Sequence, residues 1–133
     1  MAGSYYFPGG YSERDYIGLI NAFRTLPVPL VVVCSSLNTE LDGFSLPAHI
    51  TILRDLPTGQ FEACIRPAKA GIIALKRDTG AAGQSVLIRL LRNAKPVIAS
   101  DFGAMRDYID EGISGFLIRD LSLDLCEVIT RLA

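Results

Sequence analysis

The run Leu30-Val31-Val32-Val33-Cys34 constrains the fold more than any other part of the chain. Five apolar residues, three of them β-branched, follow one another without polar alternation, as in a strand buried on both faces. Such a strand needs a layer of helices above and below it. Pro27 and Pro29 stand before the run and break the helical period that leads into it. That period covers Asp15 to Leu26, where Tyr16, Leu19, Ile20, Phe23 and Leu26 fall on one stripe.

The same alternation recurs along the chain. Tyr5-Tyr6-Phe7 is a first strand that ends at Pro8-Gly9-Gly10. After the Leu30–Cys34 strand, Ser35 to Asn38 offers caps for a short helix, and Pro47 precedes a third strand over His49 to Leu53. Thr58 is placed to cap a helix over Gly59 to Ala68, with Pro67 limiting its end, and Gly71 to Leu75 is a fourth strand. A loop over Lys76 to Ala82 leads to a helix over Gly83 to Asn93 with Val86, Leu87, Leu90 and Leu91 inward. Lys95 to Ser100 is a fifth strand with Pro96 at its beginning, Gly103 to Glu111 a short helix ended by Gly112, Ser114 to Ile118 a sixth strand, and Ser122 to Leu132 a last helix. Asp107, Asp110 and Glu111 then form an acidic, solvated helix face. Residues 1–4 read as a leader outside the fold, which leaves 5–133 as one domain.

Strands alternating with helices imply an α/β fold: a Rossmann-like doubly wound parallel sheet of about six strands in three layers, in the order 3-2-1-4-5-6. Ligands of such sheets bind at the carboxyl ends of the strands, near the switch point between the first and fourth. Two loops lie there, Pro8 to Arg14 and Lys76 to Ser85.

Thirteen Lys and Arg balance fourteen Asp and Glu, so total charge draws the chain to neither nucleic acid nor an anionic membrane, and any phosphate must be held locally. No apolar run approaches the roughly 20 residues that span a bilayer. Cys34, Cys64 and Cys126 are odd in number, widely spaced and in apolar contexts, which argues against a disulfide framework or a zinc site and for a reducing, cytoplasmic compartment. His49, the only histidine, has no cysteine or carboxylate partner placed beside it and reads as structural. Tyr5, Tyr6, Tyr11 and Tyr16 follow strand and helix periods and read as core and rim.

In the first loop, Gly9-Gly10 lets backbone approach a ligand closely. Arg14 stands at the start of the following helix, where a cation opposes the dipole. It is either a phosphate clamp or a solvated arginine paired with Glu13 or Asp15. In the second loop, Gly80-Ala81-Ala82-Gly83-Gln84-Ser85 opens a helix whose unpaired amides suit the distal phosphate of a nucleotide, with Lys76 and Arg77 adding charge. The alternative is an ordinary Ser-capped helix. The full G-x-G-x-x-G fingerprint is absent, and Cys34-Ser35-Ser36 stands where an acidic residue would close the second strand, which argues against a nicotinamide or flavin enzyme.

Four blocks, Gly83-Gln84-Ser85-Val86-Leu87-Ile88, Lys95-Pro96-Val97-Ile98-Ala99-Ser100-Asp101, Arg106-Asp107-Tyr108-Ile109 and Glu111-Gly112-Ile113-Ser114-Gly115-Phe116-Leu117-Ile118, occur in an order and spacing that resembles the C-terminal, donor-binding domain of GT-B, group 1 retaining glycosyltransferases. Gly9-Gly10 with Arg14-Asp15-Tyr16 is similar to that family's first loop and helix. The resemblance implies binding of a UDP-sugar or GDP-sugar for retaining transfer to an acceptor in polysaccharide biosynthesis, with no metal or other cofactor, and an N-terminal acceptor domain preceding Tyr5. A full-length protein peripheral to a membrane is compatible with it. It further implies that Gly9, Gly10 and Arg14 face the diphosphate, that Gly83, Gln84 and Ser85 contact phosphate and sugar with Lys76 nearby, and that Arg54 and Leu56 lie near the base. The family's paired glutamates fall at Ala81 and Arg89, so this chain either holds sugar and ribose through the amides and hydroxyls of Gly83, Gln84 and Ser85 or is a degenerate domain that no longer catalyses; the resemblance favours the first, with Arg89 kept among the donor-binding residues. A non-catalytic Rossmann-like binding or interaction module is the alternative.

Overall fold

The Leu30–Cys34 run is a strand, β2, over just those residues, with Leu30, Val32, Val33 and Cys34 buried. The computed structural model describes residues 5–78 and 82–132, so the expected leader, and Gly80 and Ala81 of the second loop, lie outside the described residues. In chain order the elements are β1 (Tyr6–Pro8), α1 (Tyr16–Phe23), β2, a single 3-10 turn (Thr39–Leu41), β3 (Ile50–Arg54), α2 (Thr58–Ile65), β4 (Ala70–Ile73), α3 (Gln84–Arg92), β5 (Val97–Ser100), α4 (Gly103–Arg106), β6 (Gly115–Ile118) and α5 (Leu121–Leu132). The sheet has six strands in the order β3-β2-β1-β4-β5-β6, all paired in parallel, as the alternation implied.

Neighbouring residues of each strand enter different cores, because side chains alternate across a sheet. Tyr6, Val32, Ile72 and Ile98 meet Leu19 and Phe23 of α1 and Leu125 and Ile129 of α5 on one face. Phe7, Val33, Ile73 and Ala99 meet Ile65 of α2, Leu87 and Leu90 of α3 and Met105 of α4 on the other. Three layers follow, with helices on both faces of the sheet and Thr51 of the edge strand β3 exposed.

Several boundaries differ from the sequence expectation. Thr58 is the first residue of α2 rather than its cap; Pro57 stands at the boundary and no side chain caps the helix. The helix expected over Gly103 to Glu111 is the one turn of α4, because downstream groups are used by the loop: the Asp110 amide donates to Ser114 Oγ and the Glu111 carboxylate accepts from the Leu117 amide. The expected acidic helix face is therefore absent. β5 starts at Val97, two residues late, since the Lys95 amide donates instead to the Leu90 carbonyl that ends α3 and Pro96 has no amide. Cys126 is exposed, against its expected apolar setting, whereas Cys34 is buried and Cys64 half-buried. His49 lies against the Phe23 carbonyl, Nε2 to O 2.7 Å.

Two features fix the β5–β6 edge. Gly115 lies so close to β5 that a Cβ there would overlap the Val97 carbonyl oxygen. Asp101, just past β5, accepts from Arg106 Nε at 2.6 Å and Arg119 Nε at 2.7 Å, tying the end of β5 to α4 and to the residue after β6. Those bonds, Arg106 first, hold the Asp101 carboxyl below the usual carboxylate range, and the Asp120 and Arg119 amides do the same for Asp124. Gly115→Ala should cost about 1–3 kcal/mol, as overpacking does, read as a lower urea midpoint. A group whose folded pKa is depressed contributes stability above its unfolded pKa and loses it as pH falls. The urea midpoint should therefore drop below about pH 4, and Asp101→Asn should reduce that acid dependence.

Candidate functional site

The chain leaves β1 still beside β2: Gly9 bridges Val33, and the Gly10 amide donates to the Val33 carbonyl at 3.0 Å. It then turns at Gly10, whose φ of +97° favours glycine, and a Cβ there would overlap Arg14 Nη2. Arg14 folds back into this turn. Its Nε donates to the Gly9 carbonyl at 3.0 Å and its Nη1 to the Ser12 carbonyl at 2.7 Å, and the Tyr16 hydroxyl donates to the Gly10 carbonyl. Residues 13–15 are stitched to the end of β4, the Asp15 amide to the Ala74 carbonyl and the Lys76 amide to the Glu13 carbonyl, each at 2.8 Å.

Arg14 is thus 4% exposed, not a solvated arginine. The carboxylates expected to pair with it are used elsewhere. Asp15 caps α1 by accepting from the Gly18 amide, and Glu13 pairs with Arg77 at 3.0 Å. Burial pushes the Arg14 pKa below its ordinary value and that of Tyr16 above it. A guanidinium has five N–H donors and stays charged at neutral pH.

Across from this turn stands the start of α3. Gly83 holds the boundary at φ +90°, packed so that a Cβ would lie 2.8 Å from Ile73 Cγ2 and 3.2 Å from Met105 Cε. Gly83 has no side chain to cap α3, and no acidic residue lies in the first turn of the helix. Ser85 is inside that turn with its side chain exposed, so the Ser-capped reading does not hold. The positive end of the helix dipole lies at this boundary.

Both features line one crevice of about 640 Å³, bounded by Gly10 to Arg14 on one side and by Ala82, Gly83, Ser85, Val86 and Arg89 on the other, with Phe61 between. It lies at the carboxyl ends of β1 and β4, the switch point of the sheet. A smaller cavity of about 230 Å³ shares Gly10, Tyr11 and Phe61 with it and extends past Val33, Cys34 and Ser35 to Asp55 and Leu56. Phe61 is held edge-on by Phe7, ring centroids 5.2 Å apart.

Of the residues expected from sequence, Gly10, Arg14, Gly83, Ser85 and Arg89 come together in the crevice and Leu56 in the adjoining cavity. Gly9 lies beneath the turn, and Gln84 opens α3. Arg54 and Lys76 go elsewhere. Arg54 ends β3 and staples the loop after β2, reaching the Ser35 and Asn38 carbonyls at 3.3 Å and Asp42 at 3.1 Å. Lys76 lines a separate cleft with Asp15, Asp101 and Arg119. Ala81 lies outside the described residues. Sequence reasoning missed Phe61; the only signal for it is a large aromatic in a helix whose other apolar positions form no clear stripe.

No family model matches the chain, and no curated protein matches it in sequence. In fold it is similar to Anabaena HepE, solved with UDP-glucose, at TM-score 0.73 and 17% identity over 94% of this chain and 38% of that one. It is similar also to sucrose-phosphate synthase of Thermosynechococcus elongatus, at TM-score 0.75 and 16% identity over 94% of this chain and 35% of that one. A third such structure is the UDP-GlcNAc 2-epimerase of Methanocaldococcus jannaschii, solved with UDP-GlcNAc and UDP, at TM-score 0.68 and 14% identity over 98% of this chain and 39% of that one. The chain spans less than two fifths of each of these proteins. At such identities the likeness establishes architecture: this chain has the Rossmann-like fold found in GT-B glycosyltransferases, as the resemblance in its sequence implied.

Proposed function

We propose that residues 5–133 form the nucleotide-sugar-binding domain of a retaining glycosyltransferase whose donor is a UDP-sugar or GDP-sugar. The observation that carries this reading is the single crevice onto which the Arg14 turn and the start of α3 both open. A diphosphate lying there meets a buried guanidinium on one side and helix amides with the Ser85 hydroxyl on the other. Two such groups offset the charge of a leaving diphosphate without a metal ion, which is what a sugar-transfer transition state demands of its site. The nucleoside extends into the smaller cavity toward Leu56 and Asp55. HepE and the epimerase, which share this fold, were solved with different UDP-sugars. Both ligands carry a uridine diphosphate, which supports the binding step more directly than the transfer step.

Transfer itself requires an acceptor domain that closes over the crevice and excludes water. The domain alone binds the donor weakly and does not turn it over. In the whole protein we place the acceptor on a preceding domain, the product in polysaccharide biosynthesis, and the location in the cytoplasm.

Calorimetric titration with UDP and GDP should show dissociation constants on the order of 0.1–1 mM, as for a half-open site. Ser85→Asp separates binding from folding. A carboxylate in the first turn of a helix stabilises it by about 0.3–1 kcal/mol, so the melting temperature should hold or rise while nucleotide affinity falls at least about tenfold through repulsion of phosphate. Arg14→Ala should abolish binding and also destabilise the turn by about 1–3 kcal/mol, because the Gly9 and Ser12 carbonyls lose their donor. No heat and no chemical-shift change at millimolar UDP or GDP would replace this reading with a non-catalytic module.

A further inference from the structure

The crevice holds a second cation, Arg89, whose present partners are loose. Its Nε lies 3.5 Å from Glu62 Oε1, and its guanidinium carbon stands 5.0 Å above the Phe61 ring. Glu62 is held independently of it, since its other oxygen accepts from Asn93 Nδ2 at 3.1 Å. Arg89 follows Ser85 by four residues in α3 and so shares its face. Its Cα lies about 6 Å further along the axis. Long helical side chains run back toward the N-terminus, which brings the guanidinium over the turn that carries Ser85 and Val86. That agrees with all three lining the same crevice.

A guanidinium lying over a ring keeps the N–H groups that point away from it for other partners, and it has no acceptor. What it takes from a ligand must therefore be rich in lone pairs. Phe61, beneath it, also lines the smaller cavity, so Arg89 stands at the joint between the two spaces. This placement rests on the nucleotide reading: with the distal phosphate at the start of α3 and the nucleoside in the smaller cavity, the joint is where the nucleoside-linked phosphate falls. We propose that Arg89 binds that phosphate by exchanging Glu62 for it, with the Phe61 ring beneath the guanidinium, so that Glu62 competes with the ligand and sets its affinity.

The competition gives opposite signs for the two halves of one ion pair. UDP and UMP are titrated into the wild-type chain, Arg89→Gln, Arg89→Lys and Glu62→Gln, followed by amide chemical shifts, with urea unfolding of each variant alongside. Arg89→Gln should weaken both nucleotides about tenfold, a charge-assisted hydrogen bond's worth, and equally, because both carry the affected phosphate. Arg89→Lys should recover part of the loss. Glu62→Gln should tighten both by about two- to fivefold through removal of a nearby like charge. If Glu62→Gln weakens binding along with Arg89→Gln, the pair is a strut between α2 and α3 and the proposal is overturned. Unchanged affinity in Arg89→Gln, or a loss confined to UDP, also overturns it while leaving nucleotide binding in place. A wild-type chain that binds neither UDP nor GDP removes the functional reading and this inference together.

Discussion

Helices on both faces of the sheet make the carboxyl ends of its central strands the place where the crevice forms. The strands alternate between the α1/α5 core and the α2/α3 core, Thr51 on the edge strand β3 being the exposed exception. At the carboxyl ends, connections from β1 and β4 leave in opposite directions, and a gap opens between them. The gap stays open because the turn after β1 is filled from within. Arg14 occupies the space a side chain at residue 10 would take and satisfies the Gly9 and Ser12 carbonyls from inside the loop. Gly10 and Arg14 thus act as one device, and neither alone makes the turn.

The architecture was legible because the pattern that encodes it is local. The doubly apolar Leu30–Cys34 run, the Tyr16–Phe23 stripe and the Val86, Leu87, Leu90 stripe each specify an element and the face it buries, and parallel order follows from their alternation. Much of the site was legible for the same reason, since glycine marks the turns at Gly10 and Gly83. What escaped depended on partners distant in sequence. Arg14 has carboxylates on either side of it, yet Glu13 turns outward to Arg77 and Asp15 inward to cap α1. Lys76 misses the crevice because the chain bends after Leu75: Lys76 lines the cleft on the α1 side with Ala74 and Asp15, while the Leu75 side chain packs with the α3 side. Phe61 belongs to the site through Phe7 and Arg89, contacts with no trace in the sequence near it.

Near-zero net charge places the electrostatic burden on these few groups. Arg14 is shielded from water, so its field in the crevice is less damped than that of a surface arginine. Arg89 is half-exposed and answered by Glu62, and Glu13 at the opposite rim is answered by Arg77. The crevice is therefore lined by one deep cation, Arg14, and by two rim charges, Arg89 and Glu13, each already answered by an opposite charge.

The treatment of helix starts points the same way. α1 begins with the Asp15 carboxylate on the Gly18 amide, and at α5 Asp120 accepts from the Leu123 amide while Asp124 accepts from the amides of Arg119 and Asp120. Both helices lie on the face where Asp101 is already committed to Arg106 and Arg119, so the cleft beside Lys76 has its charges matched from within. α2 and α3 begin on the other face, and neither has a side-chain cap or an acidic residue in its first turn. Those two helices bound the crevice and the cavity that continues from it. A carboxylate in the first turn would stabilise either helix; the acidic residues that line this side, Glu13 and Asp55, stand outside those turns, Glu13 paired with Arg77 and Asp55 accepting from the Ser36 amide.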